Sequence, residues 1–317
     1  MKFLDYCKNI PLELVENIKK AFIGKKTVIE KIIIAVLSGG HVLIEDVPGV
    51  GKTTLVQAVA KSLGCSFKRI QFTPDLLPSD ITGITVYNNR TGEFEFKEGP
   101  IMANIILADE INRSSPKTQS SLLEAMQEGQ ITVDGVTYDL PKPFVVLATQ
   151  NPIEYEGTFP LPEAQLDRFA MRIKIGYPDF NEEKSILKLQ GKPIDEIESI
   201  ITDKDVLKIR EEIKKIYVED SVKDYIISIV QATRKHQDVY LGCSPRGSLA
   251  LLNACRGLAY IRDRNYVLPD DVKELADVIL NHRIILKPEA KMKGRTVEDV
   301  IYSIISSIRV PLVSRNV

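Results

Sequence analysis

Two groups of residues in the first half of the chain have the types and spacing for phosphate chemistry. The first is a glycine-containing turn at 48–51, followed at once by Lys52 and Thr53. The mostly apolar run at 41–44 predicts a buried strand before the turn, and the apolar spacing after the turn predicts a helix. A strand, a tight turn and a helix in this order are the context that a phosphate-binding loop needs, because the N–H groups at the start of the helix attract phosphate. The predicted loop residues are Pro48, Gly49, Val50, Gly51, Lys52, Thr53 and Thr54.

In such a loop Lys52 reaches the β- and γ-phosphates, and the Thr53 hydroxyl binds Mg²⁺. One position departs from the usual pattern, which has a glycine five residues before Gly51; that position is Asp46. Aspartate tolerates left-handed backbone conformations better than most residues, so the loop can still form with Asp46 at this position. The alternative for this stretch alone is an ordinary glycine-rich turn with a surface lysine.

Polar residues also follow two further apolar runs, at 104–108 and 144–148. Because ligands of doubly wound sheets bind at the carboxyl ends of the strands, we expect these residues to lie near the loop. Asp109 can assist a bound Mg²⁺, and Glu110 can polarise an attacking water. Asn151 can hold that water or contact the γ-phosphate; the alternative is a turn-forming asparagine before a proline.

Two arginines complete the candidate set. Arg168 follows a loop, and Arg246 opens a predicted helix behind a Ser-Pro cap. An arginine supplied to a phosphate stabilises the charge of the transition state, an effect of roughly 10³–10⁵ in rate. For either arginine taken alone, a solvated surface position or an ordinary ion pair is the alternative.

The order of the elements predicts two domains in the 317 residues. Strands alternate with helices in 1–178, which indicates an α/β core whose parallel sheet is covered by helices on both faces. Helical patterns fill 179–317, which predicts a smaller all-helical domain. Two β-hairpins are predicted inside the core, at about 84–97 and 130–140, the second around an Asp-Gly turn.

Composition narrows the functional classes. The 42 basic and 43 acidic residues nearly cancel, so nothing in the net charge favours a nucleic-acid or membrane surface. The four cysteines form no CxxC pair and are expected to be reduced thiols of a cytosolic protein. No apolar run approaches the ~18 residues of a membrane span, and charge comes too early for a signal peptide. We therefore expect a cytoplasmic protein.

Together, these motifs resemble those of the AAA+ ATPases and, within that superfamily, the MoxR family. MoxR members often carry an acidic residue at the position of Asp46. The matching stretches are Walker A at 40–53, Walker B with the following helix at 105–130, sensor 1 with the finger region at 148–169, and sensor 2 at 242–252.

The resemblance implies a P-loop core, a helical lid and a ring, usually hexameric, with ATP and Mg²⁺ between subunits. The implied roles are phosphate and Mg²⁺ binding for Lys52 and Thr53, metal assistance for Asp109, water orientation for Glu110, sensor 1 for Asn151, the finger for Arg168, sensor 2 for Arg246, and adenine contact for Ile23 and Gly24. Which arginine acts in cis, on the nucleotide of its own subunit, and which acts in trans, on that of the neighbouring subunit, stays open.

The resemblance also implies a chaperone-like role, in which family members remodel or mature client complexes. They often work with a partner that carries a von Willebrand factor A domain, which this chain lacks, so we expect a separate partner; the client is not indicated. The two hairpins are similar to inserts of magnesium-chelatase subunits and MCM helicases. A chelatase-type subunit and a nucleic-acid motor are therefore alternatives.

The hairpin sequences disfavour the nucleic-acid alternative. Residues 87–96 hold one Arg and two Glu, and 130–139 hold no Lys or Arg, so neither hairpin has a basic and aromatic cluster. A nucleotide switch without hydrolysis is a third alternative. It is disfavoured because Glu110 and both arginines are present.

Overall fold

The structure is a computed structural model that describes residues 9–47, 49–151, 158–188 and 193–311. The helices are α1 (Ile10–Lys19), α2 (Lys26–Leu37), α3 (Lys52–Ser62), α4 (Pro78–Thr82), α5 (Pro116–Glu128), α6 (Glu163–Leu166), α7 (Phe180–Ile186), α8 (Asp203–Lys215), α9 (Asp220–Lys235), α10 (Pro245–Ile261), α11 (Pro269–Leu280), α12 (Pro288–Met292) and α13 (Val297–Ser307). The strands are β1 (Val42–Glu45), β2 (Phe67–Gln71), β3 (Gly83–Asn88), β4 (Glu93–Glu98), β5 (Ile105–Asp109), β6 (Gln130–Val133), β7 (Val136–Asp139), β8 (Val145–Gln150), β9 (Met171–Ile173), β10 (Val239–Leu241) and β11 (Ile285–Leu286). Short 3₁₀ turns cover Ile111–Arg113, Pro193–Glu196 and Asn281–Arg283.

A five-stranded sheet in the order β2-β5-β8-β1-β9 positions the candidate site. The pairs β2–β5, β5–β8 and β1–β8 are parallel, which confirms the predicted parallel sheet. Every residue of β5 is buried, as are the first five of β8. Both strands are nearly continuous apolar runs, because a parallel sheet is covered on both of its faces.

The strand register brings the carboxyl ends of neighbouring strands to one edge of the sheet. Gln71 of β2 pairs with Asp109 of β5, and Glu45 of β1 pairs with Gln150 of β8. The phosphate-binding loop follows β1 at this same edge. Residues that are far apart in the sequence are thereby placed side by side.

Two antiparallel hairpins stand outside the sheet, at the residues where the sequence predicts them. β3 pairs with β4, and β6 pairs with β7 through the turn residues Asp134 and Gly135, both of which have positive φ. The rings of Phe96 and Tyr138 stack at a centroid distance of 4.1 Å, so the two hairpins contact each other. Tyr87 and Phe94 on the first hairpin remain exposed.

The chain forms two compact units, each made of several segments. The first unit consists of the described parts of Met1–Ile33, His41–Leu161 and Ile173–Lys208; the second consists of those of Ile34–Gly40, Pro162–Arg172 and Ile209–Val317. The predicted domain boundary after residue 178 stays a prediction, because a division by packing does not define where a folding domain begins.

Helices dominate the second unit, in which α9, α10, α11 and α13 pack against one another. Their buried side chains include Ile226, Leu251 and Leu275. The unit also contains the antiparallel pair β10–β11, whose strands have three and two residues, too few to show an alternating pattern in the sequence. Among the helices of the described ranges, none combines the length and the apolar character needed to cross a membrane.

Candidate functional site

The predicted phosphate-binding loop joins β1 to α3 through left-handed glycines. Gly49 has a φ of +87° and Gly51 a φ of +80°, a region that only glycine adopts without strain. A Cβ at Gly51 would also lie 3.3 Å from a ring carbon of Phe22. The first N–H groups of α3 have no partner within the helix and are available to an anion. Pro48, which was predicted to belong to this loop, lies outside the described residues.

Asp46 is accommodated in the loop for a different reason from the one that the sequence suggested. It is not left-handed: the described non-glycine residues with positive φ are Glu110, Asp134 and Asp263. The Asp46 carboxylate is buried, and its Oδ2 accepts the N–H groups of Ile175 and Gly176, both at 2.6 Å. Its Oδ1 accepts the N–H of Val47 at 2.9 Å. Asp46 therefore fits the loop because it binds backbone donors beyond β9, and not because it tolerates a left-handed backbone, which it does not adopt.

The Lys52 side chain is hydrogen-bonded to two backbone carbonyl oxygens that precede the glycine turn. Its Nζ donates to the carbonyl oxygens of Asp46, at 2.9 Å, and Val47, at 3.2 Å. Partial burial lowers the pKa of Lys52, and the carboxylates of Asp109, Asp46 and Glu110 oppose that shift. The Lys52 ammonium group is thus bonded to two backbone carbonyl oxygens at the cavity, which phosphate oxygens could replace.

Asp109, at the end of β5, is almost fully buried and hydrogen-bonded through both carboxylate oxygens. Its Oδ1 accepts the Thr149 hydroxyl at 2.6 Å, and its Oδ2 accepts Nη2 and Nε of Arg69 at 2.6 and 3.1 Å. Thr149 in turn accepts the backbone N–H of Glu110 at 2.8 Å. One buried hydroxyl thereby fixes both acidic residues at this strand end.

Glu110 has a strained backbone, with φ +57° and ψ +49°. A non-glycine residue in this region costs of order 1–3 kcal/mol, and such residues concentrate at functional sites. The Glu110 Oε2 accepts Gln71 Nε2 at 2.9 Å and Arg113 Nη1 at 3.0 Å. The left-handed turn directs the chain away from the strand while Thr149 holds the Glu110 N–H in place.

Asn151, one residue beyond β8, is also buried, and its carbonyl oxygen accepts Asn112 Nδ2 at 3.4 Å. Asn151 borders a cavity of about 430 Å³ at the strand ends. The residues that line this cavity are Gly49, Gly51, Lys52, Thr53, Thr54, Arg69, Asp109, Glu110 and Asn151. The structure therefore brings together the loop, both acidic residues and the asparagine, as the sequence predicts.

A second, more apolar cavity of about 210 Å³ shares the loop glycines with the first. Its walls include Ile23, Gly24 and Val50, together with Phe22 and Tyr177. A Cβ at Gly24 would lie 2.6 Å from a ring carbon of Phe22, so this position accepts no side chain without a shift. An apolar cavity beside a phosphate-binding loop suits a nucleobase.

The residues at the first cavity fit a magnesium-bound nucleotide. Mg²⁺ takes oxygen ligands, commonly one or two protein oxygens with the rest from phosphate and water. Thr53 and Asp109 offer a hydroxyl and a carboxylate here. Within the described ranges no group of three or more His, Cys, Asp or Glu side chains is placed to hold a metal by itself. That donor set is suited to a metal shared with phosphate.

Sequence reasoning missed four residues of this site: Arg69, Gln71, Arg113 and Thr149. Arg69 and Gln71 are two residues apart on β2 and therefore lie on the same face of the strand, next to Asp109 and Glu110. The available signal was a pair of polar side chains near the carboxyl end of a strand. This pair indicates a functional site only when β2 is known to lie beside β5 in the sheet.

The two candidate arginines belong to the second unit and are described within it. Arg168 lies between α6 and β9, is partly buried, and its N–H donates to the Gln165 carbonyl at 3.2 Å. Arg246 is exposed in the first turn of α10, where its N–H donates to Ser244 Oγ at 3.1 Å. Their contacts with phosphate stay predictions.

Two models of known protein families match this chain. The model of the ATPase family associated with various cellular activities (AAA) matches residues 41–171, and that of the AAA lid domain matches 231–304. The chain is 42% identical over 307 residues to Chaperone MoxR1 of Mycobacterium tuberculosis, covering 94% of this chain and 81% of that protein. The chain belongs to the MoxR family of AAA+ ATPases.

Two further relatives of this MoxR-family protein match nearly its whole length. It is 55% identical over 300 residues to the uncharacterized protein YeaC of Bacillus subtilis, with 94% of each chain covered. A crystal structure of a Cytophaga hutchinsonii protein, provisionally described as an ATPase, superimposes with a TM-score of 0.91 at 42% identity, covering 98% and 97% of the two chains. The predicted family and the predicted fold, an AAA+ P-loop α/β core with a helical lid, are confirmed, except that the lid was predicted to be all-helical and contains the short strand pair β10–β11.

Proposed function

We propose that this MoxR-family protein is an ATPase that uses Mg²⁺. The observation that carries the proposal is the lining of a single cavity, where Lys52 and Thr53 at the start of α3 meet Asp109, Glu110 and Asn151 at the ends of β5 and β8. A phosphate-binding helix start, an oxygen donor set for Mg²⁺ and a carboxylate for water are the parts that phosphoryl transfer to water requires.

The roles follow from chemistry and position. The N–H groups of α3 and the Lys52 ammonium bind the phosphates, and Lys52 exchanges the carbonyl oxygens of Asp46 and Val47 for phosphate oxygens. Thr53 and Asp109 would hold Mg²⁺, which when bound neutralises charge on the phosphates. Each of these residues is already present at the cavity.

Glu110 orients the attacking water and accepts its proton, and Asn151 holds the same water from the end of β8. Glu110 must first release Gln71 and Arg113, whose side chains donate to its Oε2. Arg168 and Arg246 supply positive charge to the phosphates as finger and lid arginines. Ile23 and Gly24 contact adenine in the apolar cavity.

The proposed cellular role is chaperone-like remodelling or maturation of protein complexes in the cytoplasm. Support comes from a relative named Chaperone MoxR1 and from two contacting hairpins with exposed Tyr87 and Phe94, which suit contact with protein. In this proposal copies of the chain form a hexameric ring with ATP between subunits. A separate protein with a von Willebrand factor A domain acts as partner.

Hydrolysis tests the proposal directly. The purified chain is expected to release phosphate from ATP when Mg²⁺ is present, and Glu110→Gln is expected to bind ATP while turnover falls at least about 100-fold. Glu124→Gln is the matched control, because Glu124 is an exposed glutamate on α5 away from the cavity lining. Near-normal turnover in Glu110→Gln would remove Glu110 from its proposed role.

Assembly and partner need separate measurements. Light scattering with ATP on Glu110→Gln is expected to give the mass of six chains, and the same variant held in ATP is expected to retain a partner with a von Willebrand factor A domain in a pull-down. Strong stimulation of turnover by DNA would instead favour a nucleic-acid motor. A monomer that hydrolyses ATP at full rate would contradict the ring.

A further inference from the structure

A chain of hydrogen bonds in the second unit connects the surroundings of Arg168 and Arg246. The Asp167 carboxylate accepts Arg283 Nε at 2.7 Å on Oδ1 and the Ser244 hydroxyl at 2.8 Å on Oδ2. Ser244 Oγ in turn accepts the N–H of Arg246 at 3.1 Å and caps α10. Asp167, one residue before Arg168, is thus two hydrogen bonds away from the backbone of Arg246.

Arg283 fixes the backbone on both sides of Arg168. Its side chain is only 2% exposed, and its Nη2 donates to the carbonyl oxygens of Asp167 at 3.3 Å and Phe169 at 2.6 Å. Its Nη1 donates to the carbonyl oxygen of Ala170 at 3.3 Å. A buried guanidinium with these bonds holds the segment around Arg168 in one geometry.

The residues before Arg283 extend this attachment. His282 Nε2 lies 3.0 Å from the Phe169 carbonyl oxygen, and Arg172 Nε donates to Asn281 Oδ1 at 3.0 Å. His282 and Arg283 are buried, so water does not compete for these bonds. The segment that carries Arg168 is therefore fastened to the end of α11 along its length.

We infer that Asp167 is a positioning residue that fixes Arg168 and Arg246 relative to each other, so that the two arginines act as one element. This inference rests on the proposed function, in which both arginines contact phosphate. The Asp167–Ser244 bond is the direct connection, and the Asp167–Arg283 pair anchors it in the interior of the unit. Whichever arginine acts in trans, a change in phosphate contact at one of them is transmitted to the other through Asp167.

The choice of variant follows from burial. Removing Asp167 would leave Arg283 without its carboxylate, and a buried charge without a partner endangers folding. Ser244→Ala instead removes only the hydroxyl that connects Asp167 to α10 and leaves the Arg283 pair intact. Thr296→Ala is the matched control, because Thr296 caps α13 of the same unit by accepting the Asp299 N–H at 3.1 Å and has no bond to Asp167.

The experiment measures kcat for ATP in cycles of Arg168→Lys and Arg246→Lys. In the wild-type background, the fold-change in kcat of the double variant is expected to differ by at least about threefold from the product of the fold-changes of the two single variants. Such a difference is typical of residues that act together. With Ser244→Ala in the background, the effects are expected to multiply within about 1.5-fold. With Thr296→Ala, or with Ser244→Thr, which keeps a hydroxyl, the wild-type coupling is expected to remain.

The outcomes separate this inference from the proposal on which it rests. Ser244→Ala and Thr296→Ala both remove a helix cap and lower the unfolding temperature, and Ser244→Ala lowers it more because it also loses the bond to Asp167. A merely structural role of Ser244 would lower stability without removing the coupling between Arg168 and Arg246. If ATP is hydrolysed and the coupling between Arg168 and Arg246 is equal in the wild-type and Ser244→Ala backgrounds, the inference alone is overturned. The same holds if ATP is hydrolysed and the two arginines show no coupling in the wild-type background. No turnover in the wild-type protein overturns the ATPase proposal and this inference with it.

Discussion

Arg69 Nη2 lies 2.6 Å from Asp109 Oδ2, so an arginine side chain occupies one oxygen of the carboxylate that we assign to Mg²⁺. The pair joins neighbouring strands, β2 and β5, at the edge of the phosphate cavity. Arg69 is also bonded to Gln71, which itself donates to Glu110. The two acidic residues of the site are therefore held by two side chains of a single strand.

Arg69→Gln is expected to lower the Mg²⁺ concentration that supports half-maximal nucleotide binding, by about 1.4- to fivefold. The Arg69 side chain is 46% exposed, so its ion pair with Asp109 contributes only about 0.2–1 kcal/mol against the cation. The Mg²⁺ requirement is measured by following the binding of a fluorescent ATP analogue while Mg²⁺ is titrated. Arg90→Gln, at the exposed tip of the first hairpin, is the control. An unchanged or higher Mg²⁺ requirement would show that Arg69 does not compete with the metal.

Asp46→Gly, which restores the usual glycine of such loops, is expected to destabilise the protein by about 3–6 kcal/mol. The change leaves the N–H groups of Ile175 and Gly176 without their carboxylate acceptor, and bonds to a charged group contribute about 1.5–3 kcal/mol each. Urea unfolding measures the loss. Asp75→Gly, at an exposed loop position, is expected to change stability far less. Equal losses in both variants would argue against the role of Asp46.

The features that sequence predicted correctly are local. Apolar runs identify β5 and β8 because all of β5 and the first five residues of β8 are buried. Asp134-Gly135 identifies the second hairpin because those residues adopt the positive φ that its turn needs. The loop from β1 to α3 is recognisable for the same reason. In each case the determining residues are neighbours in the chain.

The features that sequence missed are contacts over long separations. Asp46 binds N–H groups 129 and 130 residues away, and Arg69 binds a carboxylate 40 residues away. No spacing rule indicates these partners, because the order of strands in the sheet decides them. A rule based on local conformation explained Asp46 by its tolerance of a left-handed backbone, whereas its hydrogen bonds to a distant backbone segment explain the residue.

Glu110→Gly is expected to stabilise the fold by about 0.5–1 kcal/mol while it abolishes turnover. Glycine adopts the φ of +57° at this position without strain, and the lost side chain removes the group that we assign to the attacking water. Asp263→Gly is the matched control, since Asp263 is exposed, has a φ of +51° and lies outside the cavity. Thermal unfolding and phosphate release measure the two effects. A destabilised Glu110→Gly would show that its polar contacts outweigh the backbone strain.

The protein is expected to lose stability as the pH falls below about 6.5, because of His282. Burial, and next the neighbouring Arg283, hold the pKa of His282 well below its ordinary value, an effect that Arg172 reinforces and the hydrogen bond to Phe169 opposes. The unfolded chain then binds a proton that the folded chain does not, so this contribution is complete above the unfolded pKa and is lost as the pH falls through and below it.

For one such group the free energy of unfolding changes by about 1.4 kcal/mol per pH unit. Urea unfolding between pH 7.5 and 5 measures this slope, and His282→Gln, which cannot take up a proton, is expected to reduce it by that amount. The variant also loses the bond to the Phe169 carbonyl, so its stability at pH 7.5 serves as the reference for its own series. An identical slope in both proteins would mean that His282 is protonated as readily in the folded chain as in the unfolded one.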